Sequence, residues 1–192
     1  MEKNLKLILD AITTLQDKKE RILIAIDGRS ASGKTTLAEE LKTLLKCQVI
    51  HMDDFFLRPE QISDERLSKP GENVDWERVE KDVLIPLHNG KDFFYQPYDC
   101  HTQTFKSQIS GKPTTVTILE GAYSCNSHLW SYADLHIFMT ISPQLQLERI
   151  IERNGKDVAE IFLKKWIPLE EIYFKASDIE KRCELYISGD LQ

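Results

Sequence analysis

The stretch RILIAIDGRSASGKTT, residues 21–36, places an apolar run directly before a glycine-rich segment. The segment from Gly28 to Thr35 fits the pattern G-x-x-x-x-G-K-[ST], which forms a phosphate-binding loop between a β-strand and an α-helix. Glycines let successive backbone N–H groups curve around a polyphosphate, and the following helix points the positive end of its dipole at the anion. The predicted nucleoside-triphosphate site comprises Gly28, Ser30, Ala31, Ser32, Gly33, Lys34, Thr35 and Thr36.

Two side chains of this loop have predicted chemical roles. Lys34 can reach the terminal phosphates, and the Thr35 hydroxyl can bind Mg²⁺. The alternative is an ordinary Gly/Ser turn between a strand and a helix. The apolar run at 22–26 and the helix-competent segment at 36–45 supply the flanks that a phosphate-binding loop requires.

Length and composition describe one globular domain. The 192 residues are 41% apolar and 29% charged, which predicts a single domain over 1–192 with a substantial core. The net charge of −6 argues against a nucleic-acid binder. The N-terminus lacks a secretory signal pattern, and no apolar run approaches membrane-spanning length. Four scattered cysteines read as reduced thiols, so a cytoplasmic protein without membrane contact is expected.

Apolar runs alternate with helical patterns along the chain. Strands are predicted at 22–26, 47–52, 115–121, 133–140 and 184–188, and helices at 3–17, 36–45, 75–84, from Pro143, at 158–166 and onward to about 177. This alternation predicts an α/β fold, a three-layer αβα sandwich with a mostly parallel sheet. It corresponds to the P-loop nucleoside triphosphate hydrolase/kinase fold. Pro86 and Gly90 are expected to close the third helix.

Two further segments are predicted outside the sheet. Residues 57–74 read as a long loop over the site, and aromatic segments at 93–99 and 102–107 suggest a β-hairpin. Together, 57–108 is the expected acceptor-binding insertion. The hairpin aromatics either stack on a base or sugar or simply pack the hairpin, and the pattern does not separate these alternatives.

Acidic residues follow two predicted strands. Asp53 and Asp54 come at the carboxyl end of the second strand, where open α/β sheets place ligand chemistry. One of them could act as a general base toward a hydroxyl or hold Mg²⁺ through water. The bland alternative is a pair of turn or capping aspartates. Glu120 ends a buried strand, and in a phosphate-loop protein a carboxylate there orients Mg²⁺.

Basic residues mark a predicted helical lid at 149–170. Arg149 and Arg153 lie four positions apart on one helix face, where they either clamp transferring phosphates or form a solvated, salt-bridged surface. His136, in an apolar strand, is expected to be a core or edge histidine. The remaining histidines show no metal-ligand spacing.

The motifs narrow the reaction class. Neither N-K-x-D nor D-x-x-G, which a GTPase switch requires, occurs in the chain, and motor ATPases usually need longer chains. A compact chain with a strand-end aspartate and an arginine-bearing lid favours phosphoryl transfer to a small molecule. A nucleotide-sensing protein without catalysis on the same fold is the alternative from another class.

Six segments of the chain together resemble the uridine kinase family of nucleoside kinases. They are GRSASGKTT, VIHMDDFF, ENVDWERV, QPYDCHTQTF, ILEGAY and LERIIERNGKDVAEIF. The resemblance extends over roughly 20–188. It implies ATP or GTP with Mg²⁺ as the donor and the 5′-hydroxyl of a nucleoside such as uridine or cytidine as the acceptor. The small-molecule acceptor is then the expected partner, and a homo-oligomer is compatible with these features.

The resemblance also implies roles for individual residues. Asp53 corresponds to the base, which would also lie near the metal, and Asp75 to the residue that binds the acceptor sugar. Glu120 corresponds to the Mg²⁺-orienting acid, and Tyr98 to a hairpin tyrosine near the nucleobase. The lid arginines correspond to Arg149 and Arg153.

The chain departs from the family after Tyr98. Uridine kinases typically carry a histidine and an arginine a few residues after this tyrosine. Here the histidine is displaced to His101, which we take as its candidate equivalent, and no arginine follows. The element MDDFF equally resembles nicotinamide riboside kinases, and pantothenate kinase is a more distant relative. The acceptor therefore stays open between a pyrimidine nucleoside, nicotinamide riboside and a pantothenate-type molecule.

Overall fold

The central sheet contains five parallel strands, as the alternating pattern predicts. The computed structural model describes residues 2–191, so the first and last positions of the predicted domain lie outside the described residues. The order across the sheet is β2-β7-β1-β8-β9. The strands are β1 (Ile22–Gly28), β2 (Gln48–His51), β3 (Phe93–Tyr95), β4 (Tyr98–Asp99), β5 (Thr104–Phe105), β6 (Ile109–Gly111), β7 (Val116–Glu120), β8 (Leu135–Thr140) and β9 (Leu185–Ser188).

Helices cover both faces of the sheet. None of those within residues 2–191 combines the length and the apolar character that crossing a membrane requires. They are α1 (Glu2–Gln16), α2 (Lys34–Leu45), α3 (Asp64–Leu67), α4 (Trp76–Val79), α5 (Ile85–His88), α6 (Pro143–Asn154), α7 (Lys156–Ile161), α8 (Ile167–Ser177) and α9 (Ile179–Arg182).

Strand β1 separates two hydrophobic cores. Its side chains alternate, so Ile24 and Ile26 point into one core and Ala25 into the other. The first core is filled from α1 and α2, and the second from the segments α4–α5 and α8–α9. Burial on both faces explains why the strands read as continuous apolar runs. The three-layer αβα prediction is confirmed.

All five strands run in the same direction, so their carboxyl ends meet at one edge of the sheet. Gly28, His51 and Glu120 end β1, β2 and β7, and the phosphate-binding loop follows Gly28. Open α/β sheets bind ligands at this edge. The fold therefore brings the separated candidate motifs to one place.

The segment at 57–74 is more ordered than a loop. It contains a 3₁₀ turn at Pro59–Gln61 and the short helix α3, whose N-cap Ser63 accepts a hydrogen bond from the backbone N–H of Arg66. The Arg66 guanidinium donates to the carboxylate of Glu77 at 2.7 and 2.8 Å and to two backbone carbonyls. The sequence pattern alone did not reveal this arginine as the organising residue.

The aromatic hairpin is split into two antiparallel pairs. Strand β3 pairs with β6, and β4 pairs with β5, whereas the sequence pattern suggested continuous strands at 93–99 and 102–107. Pro97 lies between β3 and β4 and has no N–H to donate to a ladder, which accounts for the interruption.

Two helices continue past prolines, and one of these prolines, Pro86, was expected to close its helix. A π-type turn at Glu80–Leu84 precedes Pro86, and another at Phe162–Trp166 precedes Pro168. Pro86 therefore does not close the helix, which runs on through α5 to His88. A π turn widens the hydrogen-bonding pattern locally, so the missing proline N–H is accommodated without ending the helix.

Gly28 is required by its packing against β8. A Cβ atom at Gly28 would lie 2.0 Å from the carbonyl oxygen of Met139, and its φ of +132° strains any L side chain. Gly155 also has a positive φ, of +82°, but nothing lies within 4 Å of its Cβ position. A side chain at Gly28 would therefore meet both a steric clash and backbone strain, whereas one at Gly155 would meet backbone strain alone.

We predict that Gly28→Ala destabilises the fold by several kcal/mol more than Gly155→Ala, which should cost about 1–3 kcal/mol from backbone strain alone. Chemical denaturation of both variants measures the difference. Equal losses of unfolding free energy would contradict the steric role of Gly28.

Candidate active site

The phosphate-binding loop connects β1 to α2 through backbone of left-handed conformation. Ala31 has a φ of 61° and Gly33 a φ of 100°, and α2 begins at Lys34. The Lys34 ammonium donates to the carbonyl oxygens of Gly28 and Arg29, each at 2.8 Å. The loop therefore presents a buried cation and the positive end of a helix dipole in the same place, which suits an anion.

Side chains from α6 hold the outside of the loop. Arg149 donates to the carbonyl oxygen of Ala31 at 3.2 Å and to that of Gly189 at 3.0 Å. Gln146 donates to the carbonyl oxygen of Ser30 at 3.0 Å. These contacts give Arg149 a supporting position, and its catalytic role stays a prediction.

Arg153 lies one helical turn beyond Arg149 and is exposed. Its Nε donates to the side-chain oxygen of Asn154 at 2.7 Å. Its positive charge weakly opposes the rise in the pKa of Asp53, so it lies within electrostatic reach of that carboxylate. A role beside the transferred phosphoryl group stays a prediction.

Asp27, the last residue before the loop glycine, is fully buried and accepts four hydrogen bonds. The donors are the backbone N–H groups of Gly28 at 2.7 Å, Tyr123 at 3.0 Å and Cys125 at 2.9 Å, and the hydroxyl of Tyr173 at 2.8 Å. Burial raises the pKa of Asp27, and these hydrogen bonds together with Lys34 oppose the rise. Asp27 fastens β1, the segment after β7 and α8 to one another.

Glu120 and Thr35 meet as the motif predicts. The Thr35 hydroxyl lies 3.2 Å from both carboxylate oxygens of Glu120, and His51 Nδ1 lies 2.5 Å from one of them. The hydrogen bond to Glu120 raises the pKa of His51. His51 was not a candidate in the sequence, although its place at the end of β2, next to the end of β7, is a usable signal.

Asp53 and Asp54 have different surroundings. Asp53 keeps an exposed surface, but the protein atoms around it remove part of its hydration, and this loss raises its pKa. The charge of Glu120 adds to the rise and Lys34 opposes it. Asp54 accepts a hydrogen bond from the Tyr95 hydroxyl at 3.0 Å, and its carbonyl oxygen accepts from Arg78 at 2.9 Å. Asp53 therefore faces the donor-site residues, whereas Asp54 ties β3 to the site.

Asp75 is buried and caps α4. Its carboxylate accepts from the backbone N–H and the Nε of Arg78, both at 3.3 Å, and lies 3.8 Å from Arg58 Nε. Arg78 also donates to the carbonyl oxygen of Gln96. The predicted N-cap is thus observed, and binding of an acceptor sugar by Asp75 stays a prediction.

The hairpin residues divide into buried and exposed groups. Tyr98 is buried and meets Phe105 edge to face, with ring centroids 5.3 Å apart. Arg78 lies over the Phe105 ring at 5.2 Å and the Phe55 ring at 4.7 Å. His101 is exposed in the turn between β4 and β5, where its backbone N–H donates to Asp99. The structure thus shows the packing role of Tyr98 and does not bring the His101 side chain to Asp53 or Asp75.

The residues present fit a magnesium–nucleotide complex. Thr35 and Glu120 supply the hard oxygen ligands that Mg²⁺ prefers, with Asp53 close enough to sense the charge of Glu120. Over residues 2–191 no group of three or more His, Cys, Asp or Glu side chains could hold a metal by itself. Within the loop, the buried Ser32 hydroxyl has no hydrogen-bond partner among the described residues, as expected of a group awaiting a ligand acceptor.

A five-stranded parallel sheet with a phosphate-binding loop after the central strand and an acid on the neighbouring strand is the arrangement of P-loop nucleotide-binding proteins, the class to which the P-loop kinases belong. The model of the Phosphoribulokinase / Uridine kinase family matches residues 23–160. A uridine kinase of Mycoplasma pneumoniae is 31% identical over 189 residues, which cover 89% of this chain and 86% of that protein. The chain belongs to the phosphoribulokinase/uridine kinase family, and it is a phosphotransferase.

Two further similarities add detail. A bifunctional alpha-galactosidase/sucrose kinase of Mediterraneibacter gnavus is 29% identical over 178 residues, which cover 80% of this chain and only 19% of that protein. A structure of a possible uridine kinase from Bacillus stearothermophilus superposes with a TM-score of 0.71 at 19% identity, covering 97% of this chain and 98% of that one. At that identity the structural likeness shows the fold.

We predict that Asp27→Asn lowers the unfolding free energy by about 2–4 kcal/mol, because an amide cannot accept from all four donors and leaves buried groups unpaired. Asp10→Asn is the matched control, since Asp10 only pairs with Lys6 on the surface and should change stability by about 0.5 kcal/mol or less. Urea denaturation measures both. Similar stabilities for the two variants would contradict the proposed role of Asp27.

Proposed function

We propose that this chain transfers the terminal phosphoryl group of ATP or GTP to a hydroxyl of a small molecule, most simply the 5′-hydroxyl of a nucleoside such as uridine or cytidine. The observation that carries the proposal is the electrostatic arrangement around Asp53. The Thr35 hydroxyl of the loop lies 3.2 Å from the Glu120 carboxylate, and Asp53, which follows the adjacent strand β2, responds to the charges of Glu120 and Lys34. A candidate base, a phosphate-binding cation and a candidate metal-orienting acid therefore lie at the same edge of the sheet.

The donor end of the reaction follows from the loop. Lys34 and the loop N–H groups hold the phosphates, and Thr35 and Glu120 are the residues that would hold Mg²⁺. When bound, Mg²⁺ neutralises charge on the phosphate oxygens. To hold a phosphate, Lys34 exchanges its contacts with the carbonyl oxygens of Gly28 and Arg29 for phosphate oxygens, at little cost in hydrogen bonds.

The acceptor end centres on Asp53. The Asp53 carboxylate takes the proton of the attacking hydroxyl as the new O–P bond forms, and the bond to the leaving nucleoside diphosphate breaks. A raised pKa makes this carboxylate a better proton acceptor at neutral pH than an ordinary aspartate. Arg153, and Arg149 if the lid moves, would add positive charge beside the transferred group.

The acceptor sugar is assigned to the Asp75–Arg78 pair. Arg78 donates a hydrogen bond to the Asp75 carboxylate, and its guanidinium lies over the ring of Phe55. Tyr98 and Phe105 form the adjoining aromatic wall. In this assignment His101 contributes to acceptor binding only if the turn that carries it folds inward.

A sugar acceptor is the second candidate. The sucrose kinase relative aligns over most of this chain, and the segment after Tyr98 lacks the arginine that is typical of uridine kinases. A pocket without that arginine places fewer demands on a nucleobase. The candidate acceptors therefore span pyrimidine nucleosides, nicotinamide riboside, pantothenate and a saccharide.

The cytoplasm is the proposed compartment. All four cysteines in the described part of the chain are free thiols, and Cys47, Cys125 and Cys183 are buried. Free thiols suit a reducing environment.

A coupled assay of ADP release tests the proposed function. With Mg²⁺ and ATP present, we expect one of uridine, cytidine, nicotinamide riboside, pantothenate, ribulose 5-phosphate or sucrose to raise ADP release well above the acceptor-free rate. Lys34→Ala should reduce that rate to background, because the phosphates lose their buried cation. If no acceptor raises ADP release above background, the proposed function is wrong. If Lys34→Ala keeps full activity, the assignment of the site is wrong.

We predict that Asp53→Asn lowers kcat by about 10²–10⁴-fold, the usual contribution of a general base, with ATP affinity changed far less. Asp54→Asn is the matched neighbour. Its side-chain oxygen can still accept from Tyr95, so its kcat should fall by no more than about tenfold. Steady-state kinetics with the acceptor found above, together with calorimetry of ATP binding, measure these effects. Wild-type kcat for Asp53→Asn would remove it as the base.

A further inference from the structure

Glu170 is a buried carboxylate that contacts the phosphate-binding loop and that the proposed chemistry does not use. It lies on α8 and is only 4% exposed. One carboxylate oxygen accepts the backbone N–H of Ser30 at 3.1 Å, and the other accepts the Ser30 hydroxyl. Ser30 is the third residue of the G-x-x-x-x-G-K-[ST] motif, so an internal anion occupies donors of an anion-binding loop.

The charges around Glu170 come from every element that meets it. Lys34 of α2 attracts the carboxylate, Asp27 at the end of β1 repels it, and Tyr123 after β7 lies close enough to sense it. Burial raises the pKa of Glu170, and Lys34 and the Ser30 hydrogen bonds oppose the rise. Lys34 thus lies within electrostatic reach of Asp53, Glu170 and Asp27.

Other contacts to the loop have a different character. Gln146 and Arg149 donate to loop carbonyl oxygens, and these bonds leave the loop N–H groups available. Glu170 instead accepts from an N–H and a hydroxyl, the groups that a phosphate oxygen would seek. Holding the loop from outside does not require a negative charge beside Lys34, so this charge calls for a separate explanation.

We propose that Glu170 positions Ser30 and acts as an internal anion that weakens the binding of a nucleoside triphosphate more than that of a diphosphate. The inference rests on the proposed function, because it assumes that the loop binds a nucleotide donor. Lys34 is the residue that reaches the terminal phosphates in such loops. A negative charge held at Ser30, within electrostatic reach of Lys34, therefore acts most strongly on the terminal phosphate, which the diphosphate lacks.

The consequence for a phosphotransferase is a balanced affinity. The loop binds the donor less tightly than its cation and helix dipole would allow, and the penalty is smaller for the diphosphate product. Such a carboxylate sets the ratio of triphosphate to diphosphate affinity by charge, while its two hydrogen bonds keep Ser30 in place.

Calorimetric titration of the full chain with Mg²⁺–ATP and Mg²⁺–ADP tests this inference without any acceptor. Glu170→Gln removes the charge, and its amide oxygen can still accept from Ser30. We expect ATP to bind about tenfold more tightly to this variant, the effect of one charge at short range in a partly screened site, and ADP to gain less. Glu148→Gln is the control for net charge, because Glu148 is exposed on α6 and bonds only to Gln144 among the described contacts.

Ser30→Ala separates the charge from the contact. It removes the hydroxyl bond and leaves the carboxylate beside Lys34, so ATP binding should not tighten. The inference is overturned if Glu170→Gln leaves the ratio of ATP to ADP affinity unchanged, or if Ser30→Ala tightens ATP binding as much. Wild-type protein that binds neither nucleotide would instead overturn the proposed function itself, so the two failures are distinguishable.

Discussion

The hydrogen bonds of Asp27 are the interaction on which the site depends. A single carboxylate at the end of the central strand gathers the first glycine of the phosphate-binding loop, the segment after β7 and the tyrosine of α8. A buried charge is costly unless its acceptors are filled, and here each donor comes from a segment that borders the active site. The phosphate-binding loop, the segment after β7 and helix α8 are therefore held in one register.

Around this anchor, the site is arranged as opposed charges with different exposures. Lys34 is buried and lies within electrostatic reach of three carboxylates, of which Asp53 is exposed and Asp27 and Glu170 are buried. The enclosed pair are held by hydrogen bonds and set the electrostatic background. The exposed one, Asp53, is the residue that we propose as the base. The buried carboxylates Asp27 and Glu170 thus support the structure of the site, whereas the exposed Asp53 is the one proposed to act on a substrate.

The sequence predicted what local patterns encode and missed what long-range contacts create. Apolar runs and the phosphate-loop motif were enough for the parallel sheet and for the meeting of Thr35 with Glu120. Asp27 and Glu170 carry no local signal, because Asp27 bonds to Tyr173, 146 positions away, and Glu170 bonds to Ser30, 140 positions away. The prediction that Pro86 closes the third helix was wrong, because no local sequence pattern predicts the π turn before it. The roles of Asp75 and His101 rest on a family pattern that this chain leaves near Tyr98.

The π turn at Phe162–Trp166 has a consequence for helix phase. A π turn behaves as one residue inserted into an α-helix, and each residue turns the helix by about 100°. One face of α8, which carries Glu170 and Tyr173, contacts the phosphate-binding loop. The extra residue of the preceding π turn sets the direction in which this face points. An uninterrupted α-helix through the same sequence would aim these side chains elsewhere. The π turn therefore determines that the side chains of Glu170 and Tyr173 point toward the phosphate-binding loop.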